Sequence, residues 1–249
     1  KNPDTDSIMS SMVMANLENQ LGNEAIPVRL GKINKETEYV FNYLQIERPE
    51  EISDIEDGQN VILVDHNEST QSANNISNAN ILKVIDHHTM NFVAPYQLYY
   101  RAEPVGCTAT VLYKMYKEYD VEITKTIATL MLSAIISDTL LLKSPTCTKE
   151  DKVIAEKLAK IAEVDLEKYG KDLLKAGTDI SDFTPEEVIN IDSKLFEKGG
   201  KKFKIAQINT ADIDDVFKNK AYFETAINNE IANENLDLYV FDATDIINS

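Results

Sequence analysis

The chain has 249 residues, 25 basic against 42 acidic side chains, and a formal net charge of −17 at pH 7. Its hydrophobic share of 43% and charged share of 27% exclude a disordered chain, a collagen and a membrane bundle, and its length admits one or two domains. So acidic a surface repels nucleic acid and anionic lipid, so an anionic ligand would need a cation other than the bulk surface, a bound metal being the obvious choice.

The element order reads as α/β. Ser7 to Leu21 carries Ile8, Met9, Met12, Val13 and Leu17 at helical spacing, with Gly22 where a C-cap belongs. Ile26 to Leu30 reads as a strand and Glu36 to Leu44 as a helix. Val61 to Val64 and Ile81 to Ile85 are short, β-branched and bounded by polar residues, as buried parallel strands are. Helices are predicted over Thr108 to Tyr116, Ile123 to Ser137 and Lys149 to Ala162, with Thr148 and Asp151 forming a capping box before the last. Gly177 to Phe183 reads as a linker, which divides the chain into a first domain over 1–177, a linker over 178–184 and a second domain over 185–249.

Thr184-Pro185-Glu186-Glu187 carries the cap, proline and glutamate of a helix start. Lys202 to Asn209 and Leu236 to Thr244 read as strands, Lys220 to Ala232 as a helix, and Gly199-Gly200 as a Lys-rich, hairpin-like turn. No apolar run reaches the roughly 18 residues of a membrane helix. Two cysteines, Cys107 and Cys147, are too few for a disulfide scaffold and fit a reducing, cytoplasmic setting. The chain begins at Lys1 without Met and stops just after an apolar strand, so it reads as a fragment.

Four features point to chemistry. Asn2-Pro3-Asp4-Thr5-Asp6-Ser7 heads the first helix, where two carboxylates can aim at one spot; helix capping by Asp6 or Ser7 explains the same residues. Val64-Asp65-His66-Asn67 and Ile85-Asp86-His87-His88 end two apolar strands directly in Asp-His, and all three histidines of the chain lie there. Ligands of parallel α/β sheets sit at the carboxyl ends of strands. Asp138 closes an apolar helix at its negative pole, where a carboxylate is unfavourable unless a cation is near, although an exposed or turn-capping role also fits it. Carboxylates with imidazole suit Mn²⁺, Fe²⁺, Co²⁺ or Zn²⁺, and the oxygen-rich mix leans toward Mn²⁺. Five candidate ligands suggest a two-metal site of the kind that hydrolyses phosphate esters and anhydrides.

Asn-Pro-Asp-Thr-Asp, Asp-His-Asn and Asp-His-His together resemble the DHH phosphoesterase superfamily. Arg101-Ala102-Glu103-Pro104-Val105-Gly106-Cys107-Thr108-Ala109-Thr110 and the stretch Ser133 to Thr148 resemble, within it, the family II inorganic pyrophosphatases. The resemblance implies an N-terminal parallel-sheet DHH domain and a smaller C-terminal α/β domain, which together close over pyrophosphate. It implies two Mn²⁺ ions, with Mg²⁺ or Co²⁺ as substitutes and Mg²⁺ accompanying the substrate. Asp6, Asp65, His87 and Asp138 would hold the tighter ion; Asp4 and Asp65 would hold the second, with Asp65 bridging and so catalytic. His88 would bind the substrate and help the leaving phosphate, and Lys194 would bind substrate from the second domain. Asp86 and His66 would orient ligands.

Two departures qualify this. The family's His two residues before the Asn and its C-terminal Ser-Arg-Lys-Lys motif both fall outside the chain, so a fragment of this extent is expected to be impaired. Asp242 also stands where the family has an apolar residue. The alternative within the superfamily is a phosphodiesterase, exonuclease or short-chain polyphosphatase; the non-enzyme alternative is a metal- or nucleotide-binding module. The resemblance further implies a homodimer, with Ile26 to Leu30 and Ile81 to Ile85 as strands that could pair across an edge, and no nucleic-acid or membrane partner.

Overall fold

A computed structural model describes residues 1–247. The chain divides into two units between Leu173 and Leu174. The first contains α1 (Thr5–Gln20), β1 (Val28–Arg29), α2 (Lys35–Leu44), β2 (Glu50–Glu51), β3 (Asn60–Val64), β4 (Asn80–Asp86), β5 (Tyr99–Ala102), α3 (Thr108–Glu118), α4 (Lys125–Thr139) and α5 (Lys149–Ala162). The division falls inside α6 (Leu166–Gly177), and residues 178–184 carry no helix or strand.

Helix α1 starts at a cap that sequence reading misplaced. Asp4, with extended backbone, accepts from Ser7 N at 2.9 Å, so Asp4 is the N-cap and neither Asp6 nor Ser7 is. That frees Asp6 to sit wholly buried in the first turn. The helix ends at Leu21, with Gly22 at φ +86 just beyond. Ile8, Met9, Val13, Met14 and Leu17 are buried, and α1 packs on α3 and α4. Tyr116 of α3 donates its hydroxyl to Val13 O at 2.9 Å.

The strands β3, β4 and β5 form a parallel sheet in that order, with Val64 opposite Ile85 and Ile85 opposite Arg101. β4 is therefore paired on both sides, and the expectation that Ile81 to Ile85 could pair across an edge is corrected. The strand expected over Ile26 to Leu30 shrinks to Val28–Arg29, paired in parallel with β2; Pro27 beside it has no amide to donate. Between β1, β3 and α1 lies a cavity of about 1470 Å³, and Asp4, Asp65 and His88 reach its wall.

After α4 the chain turns through three consecutive left-handed residues, Leu140 (φ 47), Leu141 (φ 53) and Leu142 (φ 65). Leu141 N bonds Ile136 O at 2.9 Å, and its buried side chain packs against Gly170. The capping box of α5 forms as its sequence predicts.

The second unit holds α7 (Pro185–Val188), β6 (Ser193–Lys198), β7 (Lys201–Thr210), α8 (Ile213–Lys218), α9 (Lys220–Glu234) and β8 (Leu238–Asp245). β6 and β7 form a hairpin around Gly199 and Gly200, whose φ values of +61 and +74 suit a turn that only such residues make readily. β7 and β8 run parallel, joined through α8 and α9. Ala206, Ile208 and Tyr239 form a core with Val188, Ile189, Phe223 and Ala226. Asp242 lies exposed on edge strand β8, opposite Gln207, so its charge stays in water. Among the described residues no helix is long and apolar enough to cross a membrane.

Candidate metal centre

The parallel sheet brings the two Asp-His tails side by side. Asp65 directly follows β3, with its amide on Ile85 O at 2.9 Å, and turns left-handed at φ 62, a conformation Asp tolerates better than most residues. His87 directly follows β4. Asp6 comes from the first turn of α1 and Asp138 from the last turn of α4. Asp6, Asp65, His87 and Asp138 offer ligand atoms that all lie within 4.8 Å of one another. His87 Nε2 is 3.4 Å from Asp65 Oδ1, 3.5 Å from Asp138 Oδ2 and 4.0 Å from Asp6 Oδ2.

The tautomer of His87 follows from its other nitrogen. Nδ1 lies 3.0 Å from the Val105 carbonyl, which can only accept, so Nδ1 carries the proton. Nε2 then presents a lone pair to three carboxylates. It is buried and has no hydrogen-bond partner among the described residues. Four side chains whose ligand atoms converge on one spot fit a divalent cation, and the mixture of imidazole and carboxylate suits Mn²⁺.

Protonation behaviour agrees. Burial, followed by the charges of Asp6 and Asp4, raises the Asp65 carboxyl well above its ordinary range. Burial, then Asp6, Asp65 and Asp4, raises Asp138 to about 11. These acids resist ionising beside one another, and a cation among them reverses that.

The loop before α3 and the helix's first residue, Thr108, orient the cluster. Thr108 N donates to Asp6 Oδ2 at 2.7 Å, and Thr108 Oγ1 donates to Asp65 Oδ1 at 2.9 Å. With the Val105 carbonyl, this loop contacts three of the four converging side chains. It is tied down by buried Asp151, which accepts from Gly106 N at 2.9 Å and Thr110 Oγ1 at 2.6 Å. Sequence reading gave Thr108 and Val105 no role; the signal was the Arg101–Thr110 run itself, used there only to mark a resemblance.

His88 lies beside the cluster with its side chain 54% exposed. Its Nδ1 donates to Asp86 Oδ1 at 2.8 Å, leaving Nε2 without a hydrogen bond among the described residues. Burial would raise Asp86, but donation from His88 and Asn67 outweighs it and holds the carboxyl at about 2. Asn67, also missed in the sequence, donates to Asp86 Oδ2 at 2.6 Å and accepts from Asn91 N. Asp65, His87 and His88 make a second group of close ligand atoms.

Asp4 is exposed and stands outside both groups, one carboxylate oxygen being engaged by Ser7 N. His66 is corrected: its Nδ1 donates to Val64 O and its Nε2 accepts from Ser72 Oγ, both at 2.9 Å, so it staples its own loop and touches none of the converging residues. Lys194 is an exposed residue of β6 in the second unit, opposite Ile205. Cys107 is buried at the N-cap of α3; burial and the nearby Asp6 and Asp138 charges push its thiol well up, which makes it inert.

An Asp/His cluster at the carboxyl ends of parallel strands, followed by a small mixed-sheet unit, defines a two-part α/β metal protein. The family model described as "DHH family, N-terminal domain" matches residues 1–135, and "DHHA2 domain" matches 171–249. A Bacillus subtilis (strain 168) protein named manganese-dependent inorganic pyrophosphatase is 54% identical over 99% of this chain and 81% of the relative. A Brevibacillus brevis relative named for the same activity is 54% identical over 100% of this chain and 81% of its own length. A Methanococcus jannaschii crystal structure, titled as a family II inorganic pyrophosphatase, matches at a TM-score of 0.73 and 40% identity, covering 99% of this chain and 82% of that one. An exopolyphosphatase-related protein from Bacteroides fragilis, 11% identical with a TM-score of 0.55 over 90% of this chain and 69% of that one, shares the fold alone. The chain belongs to the DHH family and, within it, to the manganese-dependent, family II inorganic pyrophosphatases.

Proposed function

We propose that this chain hydrolyses inorganic pyrophosphate to two phosphates at the Asp/His cluster of its first unit. The observation that carries this is the bare Nε2 lone pair of His87 facing Asp6, Asp65 and Asp138. Asp6, Asp65, His87 and Asp138 would hold one Mn²⁺, and Asp4 together with Asp65 would hold a second. When bound, such ions neutralise the substrate's charge and bring a water's pKa near neutrality.

The protein's own groups do the rest. Thr108 and Val105 fix the ligands, so no reorganisation is needed when charge develops. Asp86 locks the His88 ring through Nδ1, leaving Nε2 to donate to a phosphoryl oxygen when protonated and so favour the leaving phosphate. Lys194, from the second, substrate-binding unit, adds a positive charge for a phosphate oxygen. We also read residues 1–177 as the metal-holding domain, 178–184 as a linker and 185–249 as the substrate domain. The protein is a cytoplasmic homodimer without a nucleic-acid partner; its acidity and two free thiols support that setting, and exposed Ile26 and Val28 offer a surface for pairing.

The test is phosphate release from pyrophosphate with Mn²⁺ and with Mg²⁺. It is run on this chain and on a chimera that adds the flanking residues of the Bacillus subtilis relative. Mn²⁺-dependent turnover lost in Asp65→Asn supports the reading. A folded, Mn²⁺-loaded chimera that spares pyrophosphate but cleaves short polyphosphates or dinucleotides replaces the substrate and keeps the site.

A further inference from the structure

Glu36, in the first turn of α2, occupies a position that neither the motifs nor the metal cluster explains. Its Oε1 accepts from Thr5 Oγ1 at 2.5 Å and also from Ser137 Oγ. Thr5 lies between Asp4 and Asp6 at the start of α1. Ser137 directly precedes Asp138 at the end of α4. One carboxylate oxygen thus joins the two helix ends that deliver three of the site's acids. The direction of the network is fixed by chemistry: the carboxylate only accepts, so both hydroxyls donate to it. Thr5 Oγ1 then takes its second contact, 3.0 Å away, from the hydroxyl of buried Thr37.

An extra acid here has the wrong charge for stability. Burial raises its pKa first, and the Asp4 charge adds to that against the two donated hydrogen bonds. Asp138 sits at the negative end of α4, where its charge is unfavourable. Ionised, it is also repelled by Asp6, which favours moving the two helix ends apart, and a link spanning those ends opposes that separation.

We propose that Glu36 is a positioning residue that braces the α1 start against the α4 end and so sets the spacing of Asp6 and Asp138 for the metal. The proposal rests on the metal-site reading above. Its requirement is an acceptor oxygen at this place rather than a negative charge.

The experiment measures Mn²⁺ affinity from the electron paramagnetic resonance signal of free Mn²⁺, together with thermal unfolding, on the whole chain. Glu36→Leu weakens Mn²⁺ binding by about tenfold, and Glu36→Gln, whose amide oxygen accepts both hydroxyls, stays within about threefold of the parent. Thr5→Val with Ser137→Ala reproduces the loss, and adding Glu36→Leu to that pair changes nothing further. A merely structural role would lower the melting temperature and leave the affinity of the folded protein alone. Parent-like Mn²⁺ affinity in Glu36→Leu overturns the brace. So does Glu36→Gln losing as much as Glu36→Leu. If Glu36→Leu does not fold, the hydroxyl pair decides, and parent-like affinity there overturns the proposal. A parent chain whose Mn²⁺ binding is absent, or unchanged by Asp65→Asn, removes the metal site itself and the brace with it.

Discussion

The Val105 carbonyl accepts a hydrogen bond from His87 Nδ1 at 3.0 Å and thereby decides what His87 offers on its other side. A backbone carbonyl has no alternative role, so the ring is held in the tautomer that leaves Nε2 as a lone pair. The chemistry of the cluster is thus written partly in the main chain, outside any motif of acids and histidines.

The first prediction concerns metal removal and pH. Burial and neighbouring charges raise Asp65 and Asp138 in the folded state. A folded pKa above the unfolded one means the native state keeps protons that the unfolded chain releases. That contribution is fully present below the unfolded value of about 4 and is lost as pH rises above it. The EDTA-treated protein should therefore be less stable to urea at about pH 8 than these two groups leave it at about pH 5. Mn²⁺ at a hundred times its Kd should add about 2.7 kcal/mol. Asp65→Asn with Asp138→Asn should flatten the pH dependence; an unchanged slope in that variant would refute the assignment.

Thr108 reaches Asp65 through its hydroxyl and Asp6 through its amide. Thr108→Val removes only the hydroxyl contact and should cost about tenfold or more in Mn²⁺ affinity. Thr108→Ser keeps the donor and should bind like the parent. Calorimetric titration separates the two, and equal affinities for Val and Ser would contradict the orienting role.

Gly106 has no room for a side chain. A Cβ there would meet Asp151 Oδ2 and Thr139 Cγ2 at 2.9 Å and the Thr146 carbonyl at 3.2 Å. Gly106→Ala should destabilise by about 2 kcal/mol through overpacking. It should also weaken Mn²⁺ binding, because Val105 and Thr108 move with the same loop. Equilibrium unfolding and metal titration check both effects, and a variant as stable as the parent would contradict the packing.

In the second unit, Tyr239 donates its hydroxyl to Ile189 O. Burial, then Glu230 and Glu234, raises the phenol to about 12. The stability it brings is present below the unfolded value of about 10 and is lost as pH climbs through about 12. Tyr239→Phe should cost about 1 kcal/mol at neutral pH and lose less than the parent on going alkaline. Urea unfolding at about pH 7 and about pH 11 tests this; identical alkaline losses would argue against it.

Much of the site was legible because its signals are local. Val61–Val64 and Ile81–Ile85 are dense β-branched runs, and each delivers its Asp-His tail to the same sheet end. The Thr148–Asp151 box needs only four residues to be read. What was missed depends on long-range pairing. β6 reads Ser193-Lys194-Leu195-Phe196-Glu197-Lys198 and is exposed along nearly its whole length, so no alternation marks it; its partner β7 makes it a strand. Central placement of β4 requires β5, a four-residue strand without a distinct pattern. Helix α6 did carry a signal, in buried Tyr169, Leu173 and Leu174 at helical spacing. His66 misled because adjacency to Asp65 in sequence is not adjacency in direction: its ring turns back onto Val64 and Ser72.

The left-handed turn Leu140–Leu142 begins two residues after Asp138. A left-handed L-residue costs about 1–2 kcal/mol, so this short stretch is a loaded spring held shut by the packing of Leu141. Warming that loosens the packing should release the spring before the rest of the unit melts, which activity and helical circular dichroism followed along one heating ramp would show. Inactivation on heating should therefore run ahead of unfolding, with ordered helices still surrounding a dispersed site.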